Sequence, residues 1–444
     1  MLRLFTLILT AVVLLPLYSA AAAGNPEGRE MSLAECTSVA LSHHPGVTAA
    51  ERRVVEAQER LAATKGVKLP QIAFRTEAQT YDWLPPNKAK VLGGGSTDVY
   101  SAVTFNKLLY SSGRAEADID SAAAMIHASE EDFRRTSQTV VFRVTQAYYN
   151  VLRAEAVLAA RAEAVAQMEQ HLNVAQERYA IGKAAKLDVL RAEVQLADVT
   201  QSRSLAASQL GIARLELLNA MGVDTAAEQI ALVEDRNPAP SFSDADKFIS
   251  DALEIHPEYR KSRYLAKAAE HGLRSAKGDG GPELSILGSY NREGKDIPDI
   301  DNWNVGLAIT MPIYTGGITK AKMRQAEAVV DQREAGIDLT RQSILLAVRS
   351  ALLATQDAAN RLQATSKSVE QAREALRVAQ EKYNAGLGSG IEVIDAQVAL
   401  AQAETNYAHA LYDGKIAVAQ LDYAVGRDPE RPNSTSPGTG GMDQ

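Results

Sequence analysis

Residues 144–179 read VTQAYYNVLRAEAVLAARAEAVAQMEQHLNVAQERY, and they sit inside a stretch from Ala115 to Ile181 that holds neither proline nor glycine. Val144, Ala147, Val151, Ala154, Leu158, Val165, Met168, Leu172, Ala175 and Tyr179 recur at steps of three and four, with Arg161 the one polar residue in the series. That spacing predicts a heptad seam between helices packed side by side with a left-handed supercoil. At ~1.5 Å per residue the helix would be roughly 100 Å long, a rod rather than part of a compact core.

The rod occurs twice. An offset of 204 residues maps the seam onto Val348, Ala351, Thr355, Ala358, Leu362, Thr365, Val369, Ala372, Leu376, Ala379 and Tyr383. The chain is therefore read as a tandem repeat, and its length says little about domain count. His44-Pro45 and Pro70 recur at His256-Pro257 and Pro282, offset by 212, while Tyr110, Gly182 and Gly222 recur at Tyr314, Gly386 and Gly426, offset by 204. The length difference falls in the loop between two expected strands, where an exposed loop can vary.

Outward from the rods, the period changes. Ile72, Phe74, Thr76, Ala78 and Thr80 alternate with Gln71, Arg75, Glu77, Gln79 and Tyr81, which predicts a two-faced strand over 71–81. That is about the ~9–11 residues needed to cross a bilayer. Further strands are expected at 99–108, 283–292 and 303–313. In the last two, Leu284, Ile286, Gly288 and Tyr290 share one face, as do Trp303, Val305, Leu307, Ile309 and Met311. Aromatics at strand ends suit a membrane interface. Four strands cannot close a membrane barrel, which needs about 8 or more, and lipid tolerates no open edge. A barrel must then be shared between chains.

Leu4 to Leu17 form an apolar run after Arg3, with Ala21 and Ala23 forming an Ala-x-Ala site, so residues 1–23 read as a signal peptide. No other segment approaches the ~18 apolar residues of a transmembrane helix. After a short segment 24–31, the expected organisation is a first repeat at 32–222, a linker at 223–242, a second repeat at 243–427 and a disordered tail at 428–444. A net charge of -8 and the absence of a basic stripe argue against nucleic-acid binding. The single cysteine, Cys36, cannot form an internal disulfide.

Tyr179-Ala180-Ile181-Gly182 followed by Leu187-Asp188-Val189-Leu190, and Tyr383-Asn384-Ala385-Gly386 followed by Ile391-Glu392-Val393-Ile394-Asp395-Ala396, resemble the helix-turn-helix tips of the TolC-like outer membrane factor family. The resemblance runs from about Ser32 to Arg427. It implies a mainly α fold with a membrane β-barrel: a homotrimer whose three chains supply a twelve-stranded outer-membrane barrel, continued into the periplasm by a long α-helical tunnel. It further implies the exit duct of a tripartite efflux pump or type I secretion system, with a periplasmic adaptor (a membrane fusion protein) and an inner-membrane transporter as partners, and no catalysis. In such systems the inner-membrane partner mainly sets the cargo. A soluble periplasmic coiled-coil adaptor or scaffold is the alternative, and bilayer-length, two-faced strands argue against it.

The resemblance also assigns residues. Glu392 and Asp395, three apart on one helix face, would ring the periplasmic entrance and favour cations by concentrated negative potential. Ser389 and Glu392 equally fit a capping box. Tyr383 and Asp188 would latch the closed entrance, although Tyr383 also ends the seam and Asp188 suits an N-cap. A basic residue that assists this latch in some relatives is replaced here by Gly388. Ile181, Gly182 and Lys183, with Ala385, Gly386 and Leu387, match the tips that meet the adaptor, while glycine at a tight interhelical turn also needs no partner. Gly386-Leu387-Gly388-Ser389-Gly390 lacks the preceding strand and following lysine of a phosphate loop. His43-His44 reads as a helix-end feature rather than a metal site. No catalytic, metal or cofactor pattern emerges.

Overall fold

The computed structural model of this protein describes residues 30–80, 97–223, 231–233, 245–294 and 300–428. The expected signal peptide, Tyr81, the loop containing Pro85-Pro86, most of the linker and the tail beyond Asp428 lie outside the described residues.

Capping chemistry sets the first elements. After the short strand β1 (Glu30–Met31), Ser32 caps α1 (Leu33–His43). The Ser32 hydroxyl accepts from the Glu35 amide at 3.3 Å, and the Glu35 carboxylate accepts from the Ser32 amide at 2.9 Å. Helix α2 (Pro45–Gly66) opens on proline, whose missing N–H would have been unpaired there anyway. His44 caps it, Nδ1 accepting from the Gly46 amide at 3.0 Å. Next come β2 (Gln71–Thr80), β3 (Thr97–Tyr110), α3 (Arg114–Ala180), α4 (Lys186–Met221) and β4 (Ala231–Leu232). The second half runs α5 (Ala245–Ile255), α6 (Pro257–Gly278), β5 (Glu283–Gly294), β6 (Ile300–Thr310), α7 (Ile318–Asn384) and α8 (Gly390–Val425). Helices α3 and α7 have 67 residues each, and α4 and α8 have 36 each.

The four long strands form one antiparallel sheet in the order β2-β3-β5-β6, leaving β2 and β6 as its edges. Directly opposed residues share a face. The register aligns Phe74, Val103, Tyr290 and Trp303 in one row, and Ile72, Phe105, Gly288 and Val305 in the next. This apolar face is open: Phe74 is 69% and Trp303 74% exposed. Strand β3 extends beyond the expected 99–108 at both ends. Strand β6 runs over Ile300–Thr310 rather than 303–313, stopping before Met311 because Pro312 has no N–H to donate to a ladder.

The rods pack as the seam predicts near their middle. Val144, Tyr148, Val151, Leu217 and Met221 join Cys36 in a buried cluster between α1, α3 and α4. In the second half Phe248, Ile344, Val348, Leu421 and Val425 do the same for α5, α7 and α8. The Tyr148 hydroxyl donates to the Val233 carbonyl, fastening the parallel β1–β4 pair onto α3. At the C-termini of α4 and α8, Gly222 and Gly426 adopt φ of 71° and 83°. A Cβ on either would lie 2.8 Å from the Cα of His44 or His256, so only glycine lets these helix ends abut the next proline-led helix.

One seam residue departs from expectation. Tyr383 is 7% exposed, whereas Tyr179, its counterpart, is 47% exposed. Tyr383 is covered by α3, and among the described residues nothing stands over Tyr179 in the equivalent way.

Candidate functional site

Both long hairpins end in the same turn. At the first, the Lys183 amide donates to the Arg178 carbonyl at 2.8 Å and the Gly182 amide to the Tyr179 carbonyl at 3.0 Å. At the second, Leu387 donates to Lys382 at 2.9 Å and Gly386 to Tyr383 at 3.0 Å. This paired pattern satisfies the last carbonyls of a helix by placing one residue in the left-handed region, and Gly182 and Gly386 take φ of 74° and 75°. Ile181, Gly182, Lys183, Ala385, Gly386 and Leu387 are all exposed. The backbone is therefore satisfied internally while apolar Ile181 and Leu387 point into solvent.

Glu392 and Asp395 lie on the first turns of α8, exposed on one face, while Val393 and Ile394 turn inward. Neither acid makes an ion pair among the described residues. The Ser389–Glu392 capping box is not formed: Ser389 makes no side-chain cap bond. The Glu392 carboxylate instead lies beside Gly388, with Oε2 3.4 Å from where a Cβ on that glycine would stand. The same Cβ would lie 3.1 Å from the Lys382 Cβ, so the turn is tight against a larger residue at 388.

Tyr383 and Asp188 reach the same end of the bundle but are not hydrogen-bonded to each other within the chain. The Asp188 carboxylate accepts from the Ala185 amide at 3.3 Å, capping α4 from its third position rather than as the N-cap itself. The Tyr383 ring packs against α3, where the Arg178 guanidinium lies 4.0 Å from its centre and the His171 ring 5.4 Å away. Arg178 also donates to the Asn384 carbonyl at 3.3 Å, so it holds the end of α7 twice over.

His171 and Gln397 are site residues that sequence reasoning missed. His171 is buried against Tyr383 and Gly390. Burial, and then the neighbouring Arg178 charge, push its pKa down, with Asp188 opposing. Gln397 is buried one turn farther in, donating to the Gln167 carbonyl at 3.2 Å while its own Oε1 has no hydrogen-bond partner among the described residues. Their sequence signal was weak, because the offset of 204 maps His171 onto Ala375 and the repeat comparison passes over it. His44, by contrast, is the helix cap that its position before proline suggests.

The family profile described as "Outer membrane efflux protein" matches residues 37–223 and 248–427. The chain belongs to that family. It is 24% identical over 430 residues to the outer membrane protein TolC of Vibrio cholerae, covering 93% of this chain and 95% of that one. It is 23% identical over 307 residues to the alkaline protease secretion protein AprF of Pseudomonas aeruginosa, covering 67% and 63%. In fold it is similar to a solved membrane protein from Pseudomonas aeruginosa, with a TM-score of 0.79, 20% identity and coverage of 90% and 92%. This outer membrane efflux protein is an export duct of the efflux or type I secretion kind, located in the outer membrane, and not a soluble adaptor. Its family is one of passive channels rather than enzymes.

Proposed function

We propose that three copies of this chain assemble into a twelve-stranded outer-membrane barrel continued by a periplasmic tunnel of long helices, gated at the tips. The observation that carries the reading is the open sheet: two unpaired edges, and an apolar face too exposed for water, stand at one end of helices of 67 residues. Lipid would cover the face and neighbouring copies the edges. The repeat boundaries 32–222 and 243–427, with a cleaved leader at 1–23, complete the proposal.

Glu392 and Asp395 form the acidic entrance, three copies bringing six carboxylates to one constriction. Tyr383 and Asp188 latch it, Tyr383 through its ring on Arg178 and Asp188 through the charge it presents to His171. The exposed tips at Ile181, Gly182, Lys183, Ala385, Gly386 and Leu387 dock a periplasmic adaptor, which links the duct to an inner-membrane transporter. Single-channel conductance in planar bilayers tests this. Wild type is expected to give cation-selective steps, and the Glu392→Ala, Asp395→Ala double variant to conduct with reduced selectivity. Unchanged selectivity would remove the carboxylate ring, and absence of any conductance would remove the channel.

A further inference from the structure

The junction between the two halves uses only one side of each. Helix α3 packs against both α6 and α8, whereas its counterpart α7 makes no comparable contact with α2 or α4. Strand β3 has a neighbour on both sides, whereas its counterpart β6 has one. The second half therefore ends in an unpartnered surface, and the first half begins with one of matching kind. Interfaces of this head-to-tail type generate closed rings when the rotation closes.

The internal junction supplies a register that can be carried across. His271 Nδ1 lies 3.8 Å from the Asp120 carboxylate, the His127 and Tyr264 rings are 5.1 Å apart, and Gln138 Nε2 donates to the Gly426 carbonyl at 2.9 Å. The offsets of 204 and 212 map these pairs onto Glu59 and Arg324, Arg52 and Asp331, and Gly222 and Gln342. Both side-chain pairs become pairs of opposite charge, and the third keeps its glutamine and its glycine. Arg52, Glu59, Arg324 and Asp331 are all exposed, and none has an ion-pair partner among the described residues. Gln138 is 3% exposed while Gln342 stands open. The Lys261–Asp132 ion pair maps onto Ala49 and Gly336, which neither attract nor repel.

The apolar surface agrees. Leu339, Leu346 and Leu353 form an exposed heptad stripe on α7. Their first-half counterparts, Arg135, Phe142 and Tyr149, contact Tyr423 and Tyr412 of α8. On α4, Ile212 and Leu215 are exposed and could cover the stripe from a second copy.

We propose that copies of this chain join through a seam that repeats the internal junction in register: α7 of one copy lies on α2 and α4 of the next, pairing Arg324 with Glu59 and Asp331 with Arg52, while Gln342 donates to the Gly222 carbonyl. This rests on the homotrimer reading and adds its residue-level register. The charges select register and partner more than they add strength.

Paired cysteines in the full-length protein, purified in detergent and treated with a short bis-maleimide, test the seam, since the native Cys36 is fully buried. Arg324→Cys with Glu59→Cys, and Asp331→Cys with Arg52→Cys, are expected to give covalent dimers and trimers on denaturing gels. The mismatched Arg324→Cys with Arg52→Cys is displaced by about 10 Å along α2 and is expected to remain monomeric there. If the matched pairs fail to link while native mass still reports a trimer, the register is overturned and the trimer stands. Equal linking of matched and mismatched pairs also overturns the register. A monomeric wild type would overturn both.

Discussion

The guanidinium of Arg178 lies 4.0 Å from the centre of the Tyr383 ring, joining the last turn of one long helix to the last turn of the other. The two residues come from different halves of the duplication, so this contact measures how firmly the hairpins are held together at the tip. A cation over an aromatic face contributes about 0.5–1 kcal/mol at accessible sites.

That geometry separates ring from hydroxyl. Tyr383→Phe keeps the surface on which Arg178 rests, and is expected to leave the conductance of the resting channel near wild type. Tyr383→Ala and Arg178→Ala remove the contact and are expected to raise it. If Tyr383→Phe opens the channel as far as Tyr383→Ala, a hydroxyl bond to Asp188 holds the gate instead.

His171 packs against the same ring, with centroids 5.4 Å apart, and is expected to make the contact sensitive to acid. Burial comes first and Arg178 second among the causes that hold its pKa below the ordinary 6.5, with Asp188 acting in the other direction. The folded tip therefore holds the neutral imidazole, and the unfolded chain takes up the proton at higher pH. The resulting stability is fully present above about 6.5 and is lost as pH falls through the lower folded value. Amide hydrogen exchange in tip peptides is expected to quicken on acidification, with the pH dependence weakened in His171→Leu. Equal pH dependence in the variant would assign the effect to another group.

His256, the N-cap of α6, presents a stronger case. Burial, then Arg135, push its pKa from 6.5 down to about 3, and its Nδ1 must stay unprotonated to accept the Glu258 amide at 3.2 Å. Stability from this site is lost between about 6.5 and about 3 as pH falls. Asparagine also caps helices well but does not titrate. His256→Asn is expected to flatten acid-induced loss of thermal stability in that window, and an unchanged acid profile would exclude His256 as its source.

These titrating residues mark where the sequence was and was not legible. Periodicity and proline placed the rods, the paired helices and the strands, because Pro45, Pro257, Gly222 and Gly426 act locally through backbone geometry. The tips were located by their glycines for the same reason. The role of His171 could not be read, since its burial comes from Tyr383 and Gly390, more than two hundred residues away in sequence. Nor could the unequal fates of Tyr179 and Tyr383, which share a seam position but not a neighbour. The Ser389–Glu392 spacing suggested a capping box that the close approach of Glu392 to Gly388 does not form.

Glycine at the helix ends gives a graded prediction. Gly386 has φ of 75° with no atom within 4 Å of an added Cβ, so Gly386→Ala incurs only the left-handed penalty of about 1–2 kcal/mol. Gly426→Ala adds a backbone approach of 2.8 Å to His256, and is expected to lower the thermal unfolding midpoint distinctly further. Equal losses would mean that α6 can shift away from α8 at little cost.

The sheet offers the sharpest contrast between neighbours in sequence. Val305 lies in the apolar row with Ile72, Phe105 and Gly288, near the middle of β6. Asn304, one residue earlier, faces the other side and donates to the Ser289 hydroxyl at 2.8 Å. If the apolar face meets lipid, Val305→Lys places a charge near mid-bilayer at a cost of about 2–4 kcal/mol, while Asn304→Lys loses one exposed hydrogen bond. The yield of folded protein in the outer membrane is therefore expected to fall steeply for Val305→Lys and only slightly for Asn304→Lys. Because the two sites share strand and depth, general damage to β6 would lower both yields alike. The reverse order would put the polar face against lipid.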